Sequence, residues 1–188
     1  MSNIQMPNVA GLFYPGDPST LRHDVEQMLS AIQAQPGPAP KALIAPHAGY
    51  VYSGPVAASA YAQLRPVRAR IRRVVLLAPS HQFAFRGLAA SSAETFQTPL
   101  GDIRVDAAAV ARAAQLPQVQ YLDQAFQGEH ALEVQLPFLQ EALEEFALVP
   151  FIVGDADGAD VADVLQLLWG GEETLIVVSS DLSLSLIH

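Results

Sequence analysis

The chain has no cysteine, few basic residues and no long apolar run, and each of these absences excludes a class of site, partner or location. The lack of cysteine excludes disulfides, zinc fingers and a thiolate nucleophile within this stretch, and it is typical of cytoplasmic proteins. Ten Lys and Arg stand against 19 Asp and Glu, giving a formal net charge of -9. Since phosphate binding needs concentrated basic side chains, we expect no nucleic-acid partner. Arg, Asp, Pro or Gly interrupts every apolar run, so we expect a cytoplasmic protein without a membrane span.

Three short apolar runs, rich in β-branched residues, each end in a polar block. Continuous runs of this kind are typical of parallel strands that are buried on both faces. They occupy residues 41–45, 73–78 and 174–178, and the blocks that follow them contain His47, His81 and Asp181. Because ligands gather where parallel strands end at their carboxyl edge, we expect these side chains to meet. Two histidines and a carboxylate form a common site for a transition metal.

Helical and strand patterns alternate along the chain, with no internal repeat and no boundary between domains. This alternation predicts one layered α/β domain with a largely parallel sheet. The predicted helices are 18–32 capped by Asp17, 56–64 capped by Ser53, a short Ala-rich helix capped by Asp106, 131–146 with a kink or later start at Pro137, and 160–168 capped by Asp160. A further strand is predicted at 147–153, and a hairpin is predicted to join 88–89 to 103–105 through a turn at 98–102.

Each polar block also has a purely structural interpretation. A single histidine at position 47 is explained by a turn in which its ring satisfies backbone groups. The second pattern of strand, Pro, Ser and histidine at His81 favours a shared site, since neutral imidazole binds Zn, Cu or Fe. Without metal, the two histidines can act as general acid and base. Asp181 is interpreted as a metal ligand or as a carboxylate that orients a histidine, and an N-cap of a following helix is the alternative.

A fourth polar block opens the long helix that is predicted at 131–146. Glu129 and Glu133 are four residues apart and therefore share a face of that helix, with His130 beside it. Acidic residues in a first helical turn also suit the helix dipole, so capping and a site role are both open. In a site, either carboxylate can bind the metal or hydrogen-bond a ligating histidine.

Six sequence blocks, taken together, resemble a known family. They are VAGLFYP (9–15), APHAGYVYSG (45–54), PSH (79–81), TPLG (98–101), EHALEVQLPFL (129–139) and SSDLS (179–183). In this order they resemble the MEMO family, whose bacterial and archaeal members are called AmmeMemoRadiSam system protein B. The resemblance implies a three-layer αβα sandwich, related to the class III extradiol dioxygenases, that forms a single domain over residues 1–183.

The resemblance also implies a metal centre of iron or copper. Its metal ligands are then His47 and His81, and its catalytic groups are His130, which moves a proton or orients substrate, and Asp181. Five more residues are expected around this cleft, the first two as a third ligand or as partners of a ligating histidine and the others as its lining: Glu129, Glu133, Tyr50, Tyr52 and Ser80. For the tyrosines, ordinary packing is the alternative.

Two functions of different classes follow from the resemblance. The first is an oxidoreductase in which non-haem iron or copper holds substrate and dioxygen in adjacent positions while a cleft histidine moves protons. The second is a non-catalytic scaffold that binds a peptide or small molecule through the same cleft. For either, the resemblance implies a radical-SAM protein and an AMMECR-type protein as partners. Metal-assisted hydrolysis is a third interpretation that no motif selects.

Leu184 departs from the family pattern, in which histidine follows the SSDLS block. Family members continue beyond this block and carry a cysteine that is associated with the metal cleft. Residues 184–188 resemble a translated transposon-end sequencing adapter, so we predict that they are a non-native tail on a truncated domain. His188 is therefore left out of the predicted site. Genomic reads that continue unbroken into the codon for Leu184 would contradict this prediction.

Overall fold

The computed structural model describes residues 3–33 and 37–181. Its strands, in chain order, are Ile4–Gln5 (β1), Ala42–Ala45 (β2), Arg73–Pro79 (β3), Leu88–Ala90 (β4), Thr95–Thr98 (β5), Gly101–Arg104 (β6), Val119–Tyr121 (β7), Ala147–Val153 (β8) and Thr174–Ser179 (β9). Its α-helices are Pro18–Ser30 (α1), Tyr50–Tyr61 (α2), Ala107–Ala113 (α3), Leu136–Ala142 (α4) and Gly158–Leu168 (α5). The tail predicted at residues 184–188, and the helix that Asp181 would cap, lie outside the described residues.

The centre of the fold is a six-stranded sheet in the order β2-β9-β3-β8-β4-β7. Every neighbouring pair is parallel except β8 and β4, which run antiparallel. The middle positions of β3 and β8 are fully buried, as the apolar sequence of both strands requires when helices cover both faces of a sheet. The expected largely parallel sheet is confirmed.

Helices cover both faces of this sheet. Helices α1, α2 and α4 pack against one another on one face, and α3 and α5 pack together on the other. A separate three-stranded sheet, in the order β1-β5-β6, lies beside the main one. The predicted three-layer αβα sandwich is confirmed. Within the described residues, no helix has the length and apolar character that crossing a bilayer requires.

Two predicted helix starts differ from the structure. Helix α2 begins at Tyr50, because the carbonyl of Phe13 accepts its N–H at 2.8 Å, and Ser53 instead donates its hydroxyl to the Ala48 carbonyl. Asp157 rather than Asp160 caps α5. Asp160 completes that cap from three residues along, where its carboxylate accepts the N–H of Asp157.

The predicted long helix at 131–146 is much shorter. A 3-10 turn at Glu133–Gln135 leads into α4, and Pro137 lies in the first turn of α4, where a proline is tolerated because the missing N–H has no partner there. The expected later start at Pro137 is confirmed, and the end at residue 146 is wrong. Residues 128–132 are not helical, so the prediction that Glu129 and Glu133 share a helical face is also wrong.

The predicted hairpin has the right turn and the wrong partner strand. Strand β6 pairs antiparallel with β5 through a turn at 98–101, whereas β4 joins the main sheet between β8 and β7. The sequence around the turn shows that the chain reverses there. It does not show which of the two short apolar runs before the turn pairs with the strand after it.

Candidate metal centre

The parallel arrangement of β2, β9 and β3 brings three polar blocks to one edge of the sheet. These strands are neighbours in that order, so their carboxyl ends lie side by side. His47 follows β2, Asp181 follows β9 and His81 follows β3. The imidazole rings of His47 and His81 lie 5.1 Å apart between centroids. The expected convergence of these two histidines is confirmed.

His47 is buried and is held at both its backbone and its ring. Its backbone N–H donates to Asp181 Oδ1 at 2.7 Å, and its Nδ1 lies 2.9 Å from Ser179 Oγ. Its Nε2 lies 3.6 Å from Asp181 Oδ2. Burial lowers the pKa of His47 below its ordinary value and outweighs the opposing attraction of Asp181. The ring is therefore neutral at neutral pH, which is the form that binds metals.

His81 is held by the buried carboxylate of Glu129. Glu129 Oε2 accepts the His81 backbone N–H at 2.6 Å, and Oε1 lies 3.0 Å from His81 Nδ1. Burial alone would raise the pKa of Glu129, but the hydrogen bonds from His81 and from the Ala131 N–H outweigh it and lower that pKa. An ionised carboxylate only accepts hydrogen bonds, so Nδ1 of His81 carries a proton, and Nε2 is the ring nitrogen that can bind a metal.

His130 reaches the same place from an irregular loop. Gly128, with a φ of 71°, makes the left-handed turn that begins this loop. The ring of His130 stacks on His81 with centroids 5.0 Å apart, and Phe13 packs on it at 4.6 Å. Burial lowers the pKa of His130, against the attraction of Glu129, whose Oε1 lies 3.5 Å from its Nδ1.

Together these three histidines form a group with the dimensions of a metal site. One ring nitrogen from each of His47, His81 and His130 lies within 4.8 Å of the other two. Nitrogens bound to one tetrahedral ion at about 2.1 Å lie about 3.4 Å apart, so small ring rotations close the group around an ion. Three imidazoles with a carboxylate beside them are a donor set that suits iron, copper or zinc. The residues present therefore fit a transition metal.

The other predicted site residues occupy varied positions. Glu133 directs its carboxylate at the N-terminal segment and accepts the backbone N–H groups of residues 8 and 9 and the hydroxyl of Tyr14. Tyr50 is buried and donates its hydroxyl to the Val134 carbonyl, whereas Tyr52 is 80% exposed. Ser80 donates its hydroxyl to the carbonyl of residue 83. The role of Tyr50, Tyr52 and Ser80 as cleft lining stays a prediction, as does that of Glu133 as a third ligand or a partner of a ligating histidine.

Sequence reasoning missed three residues that contact the histidines or their supports. Phe13 packs on His130, Ser179 meets the ring of His47, and Gln135 donates to Ser179 at 2.8 Å. All three lie inside blocks that carry the family resemblance. Ser179 precedes Asp181 by two residues at a strand end, and that spacing is a signal that could have identified it.

Comparison with known proteins places these features in a family. The sequence profile of the Memo-like protein family matches residues 5–185. Protein MEMO1 of Danio rerio is 37% identical over 180 residues, which cover 92% of this chain and 60% of that protein. A MEMO1 family protein of Aquifex aeolicus is 34% identical over 184 residues, and one of Nitrosopumilus maritimus is 33% identical over 192 residues. These matches cover 96% and 95% of this chain, and 67% and 68% of the relatives.

The chain thus spans 60% of the length of the Danio rerio relative and somewhat more of the microbial ones. Within the matched part lie the histidine group, the strands that deliver it and the loop that completes it. From a match over nearly its whole length, this chain belongs to the Memo-like protein family.

Proposed function

We propose that His47, His81 and His130 bind one transition-metal ion, iron or copper, in an oxidoreductase. The observation that carries the proposal is the approach of three ring nitrogens to within 4.8 Å of one another at the carboxyl edge of the sheet. Redox-active iron or copper bound there would supply electron-transfer chemistry that amino-acid side chains lack. The kinship with extradiol dioxygenases supports this reaction class by analogy of fold.

The residues around the group have separate tasks under this proposal. Glu129 holds His81 from behind through its Nδ1, and Ser179 does the same for His47. Asp181 is more exposed than Glu129 and Ser179, with a quarter of its side chain accessible, and its Oδ2 lies 3.6 Å from His47 Nε2. Under this proposal, Asp181 Oδ2 takes a proton from a substrate hydroxyl.

His130 has two roles to distinguish, a third metal ligand or a proton carrier. Its neutral ring and its place in the histidine group support the ligand role. If it is a ligand, His130→Ala lowers metal affinity as strongly as His47→Ala does. If it carries protons, the variant binds metal normally and loses only turnover.

The test measures metal binding by the protein. The protein is purified and stripped of metal under anaerobic conditions. We expect one equivalent of Fe(II) or copper to bind, as measured by element analysis and calorimetric titration. Replacing His47 or His81 by alanine should weaken metal binding at least about 100-fold. Replacing only a hydrogen-bond partner of a ligating histidine already weakens it about 10–100-fold, and loss of the ligand itself should cost more. His23→Ala is the matched control, since His23 is exposed on α1 away from the group. Equal binding by all four proteins would overturn the proposal.

A rival proposal is non-catalytic binding of a peptide. It is supported by a groove of about 510 Å³ whose wall includes Phe13, Tyr50 and Val51, and by the exposed apolar side chains of Leu12 and Val51 at this surface. A protein that binds no metal but takes up apolar peptides, with affinity lost in Leu12→Ser and Val51→Ser, would favour this rival.

We further propose that the intact protein works with a radical-SAM protein and an AMMECR-type protein. The support is family kinship alone. Co-purification from the source cells tests it, and absence of both proteins from the purified material would contradict it.

A further inference from the structure

A buried chain of hydrogen bonds lies behind His47, on the side away from Asp181. It runs from Tyr61 through Gln135 to Ser179 and ends at His47 Nδ1. All three supporting residues are 3% exposed or less. Buried polar groups of this kind are costly unless each finds a partner, so their arrangement constrains the direction of every bond.

One acceptor, the Pro46 carbonyl, and one donor, the Tyr61 hydroxyl, determine the orientation of the Gln135 amide. The carbonyl of Pro46 can only accept, and it lies 2.9 Å from the group assigned as Nε2. On the other side, the Tyr61 hydroxyl lies 2.7 Å from Oε1 and donates to it. The amide nitrogen therefore faces Pro46 and Ser179, and Gln135 donates to the Ser179 hydroxyl at 2.8 Å.

The Ser179 hydroxyl has three neighbours and a single proton. One neighbour is the Ala131 carbonyl at 2.6 Å, which can only accept, so the proton of Ser179 goes there. Gln135 donates to the oxygen, and the remaining neighbour is His47 Nδ1 at 2.9 Å. With its own proton used, Ser179 can only accept from His47. Nδ1 of His47 must then carry the ring proton.

This direction decides which nitrogen of His47 has the lone pair. With Nδ1 protonated in a neutral ring, the lone pair lies on Nε2, which faces Asp181 Oδ2 at 3.6 Å. Two acceptor atoms then face each other, an arrangement that a bound cation stabilises. We propose that Gln135 and Ser179 are positioning residues that hold His47 as the Nδ1–H tautomer, with Nε2 directed into the cleft. The purpose of this tautomer rests on the proposed metal centre.

The tautomer is measured on the metal-free protein, so the test does not depend on metal binding. Long-range ¹H–¹⁵N NMR correlations of the neutral ring distinguish a protonated from an unprotonated nitrogen. We expect His47 in the wild type to show a protonated Nδ1 and an unprotonated Nε2, the reverse of the form that free histidine favours in water. A wild-type spectrum with protonated Nε2 overturns the inference, whatever the variants do.

Three variants identify the cause of the tautomer. Ser179→Ala removes the acceptor and should shift His47 toward the Nε2–H form, whereas Ser179→Thr keeps the hydroxyl and the Nδ1–H form. Ser53→Ala is the matched control, because Ser53 is a buried serine whose hydroxyl bonds to the Ala48 carbonyl instead of a ring. If Ser179→Ala leaves the wild-type tautomer in place, the inference is wrong.

Metal affinity provides a second and separable measurement. Ser179→Ala should bind metal about 10–100-fold more weakly than Ser53→Ala, as is usual for loss of a partner behind a ligating histidine. If no metal binds to any of these proteins but the tautomers behave as expected, the proposed metal function fails and the positioning role stands. If metal binds and the wild-type ring is Nε2–H, the positioning role fails alone.

Discussion

Two buried glutamates, Glu129 and Glu133, show how residues of one type take different tasks. Glu129 is 2% exposed and accepts two hydrogen bonds from His81. Glu133 is also buried and accepts its hydrogen bonds from the N-terminal segment, including the Tyr14 hydroxyl at 2.6 Å. Burial, followed by the bond to Glu133, raises the pKa of Tyr14 far above its ordinary value, so Tyr14 stays a donor. Each carboxylate is stabilised by its donors.

Replacing Glu129 by glutamine separates these tasks. In the variant, the amide nitrogen must face a backbone N–H of residue 81 or 131, so a donor meets a donor. We expect the free energy of unfolding to fall by about 1–3 kcal/mol in urea titrations. Metal affinity should fall about 10–100-fold, because His81 loses the anion that orients its ring.

The matched control is Glu133→Gln, which also replaces a buried carboxylate. It should cost comparable stability while affecting metal affinity far less, since the hydrogen bonds of Glu133 go to residues 8, 9 and 14. Equal loss of metal affinity in both variants would show that Glu129 acts only through general stability.

At the level of single residues, the sequence predicted the part of the site that lies at the ends of strands. The meeting of His47 and His81 follows from parallel strand ends, a rule that needs only the apolar runs and what comes after them. The grouping of His130 with them depends on the irregular path of residues 128–132, and hydrophobic periodicity has no information about such a path. The division of labour between Glu129 and Glu133 was missed for the same reason.

At the scale of elements, helix α3 depends on a single carboxylate at its start. Asp106 Oδ1 accepts the N–H of Ala109, and Oδ2 pairs with Arg73 on β3 at 2.8 Å. Burial would raise the pKa of Asp106, but the hydrogen bonds from Ala109 and Arg73 outweigh it and lower that pKa. One side chain thus caps a helix and ties it to the central sheet.

Two substitutions at Asp106 measure the cap and the ion pair separately. Asp106→Ala should cost about 1–2 kcal/mol of unfolding free energy at pH 7 for the lost cap alone. Asp106→Asn keeps a good cap and should cost up to about 1 kcal/mol for the partly exposed ion pair. Thermal and urea unfolding of both variants check these values.

The pH dependence of Asp106 has a definite sign. Because its folded pKa lies below its unfolded value of about 4, its stabilisation is present above that pH and is lost as pH falls below it. Asp106→Asn should therefore flatten the stability curve below about pH 4. Urea unfolding of the wild type and of Asp106→Asn at a series of pH values measures this effect, and parallel stability curves for the two proteins at acid pH would contradict the assignment.

Elements with strong local signals were predicted well and those defined by distant contacts were not. Strand β8 has the predicted bounds, and Asp17 and Asp106 cap helices as expected, because apolar runs and cap chemistry are local. The start of α2 depends on the carbonyl of Phe13, nearly 40 positions away. A chain contact of that kind leaves no pattern near the helix itself.

For the whole molecule, the N-terminal segment is tied to the loop that carries His130. The Asn8 side chain donates to the carbonyls of Phe126 and Glu129 at 3.1 and 3.3 Å and accepts the N–H of Gly128 at 3.1 Å. These contacts join positions about 120 residues apart. Asn8 therefore supports the loop of the candidate metal centre, although its side chain contacts none of the proposed metal ligands.

We expect Asn8→Ala to loosen this loop while the central sheet stays intact. Loss of three hydrogen bonds should lower the free energy of unfolding by about 1–3 kcal/mol and speed amide exchange at Gly128 and His130 far more than in β3. Asn3→Ala is the matched control, because Asn3 is exposed, bonds to the Ser92 hydroxyl and should change stability by less than about 0.5 kcal/mol. Exchange that rises evenly through loop and sheet would mean that Asn8 stabilises the fold as a whole. Exchange that rises only in the loop, together with weaker metal binding, would mean that the N-terminal segment helps to shape the centre.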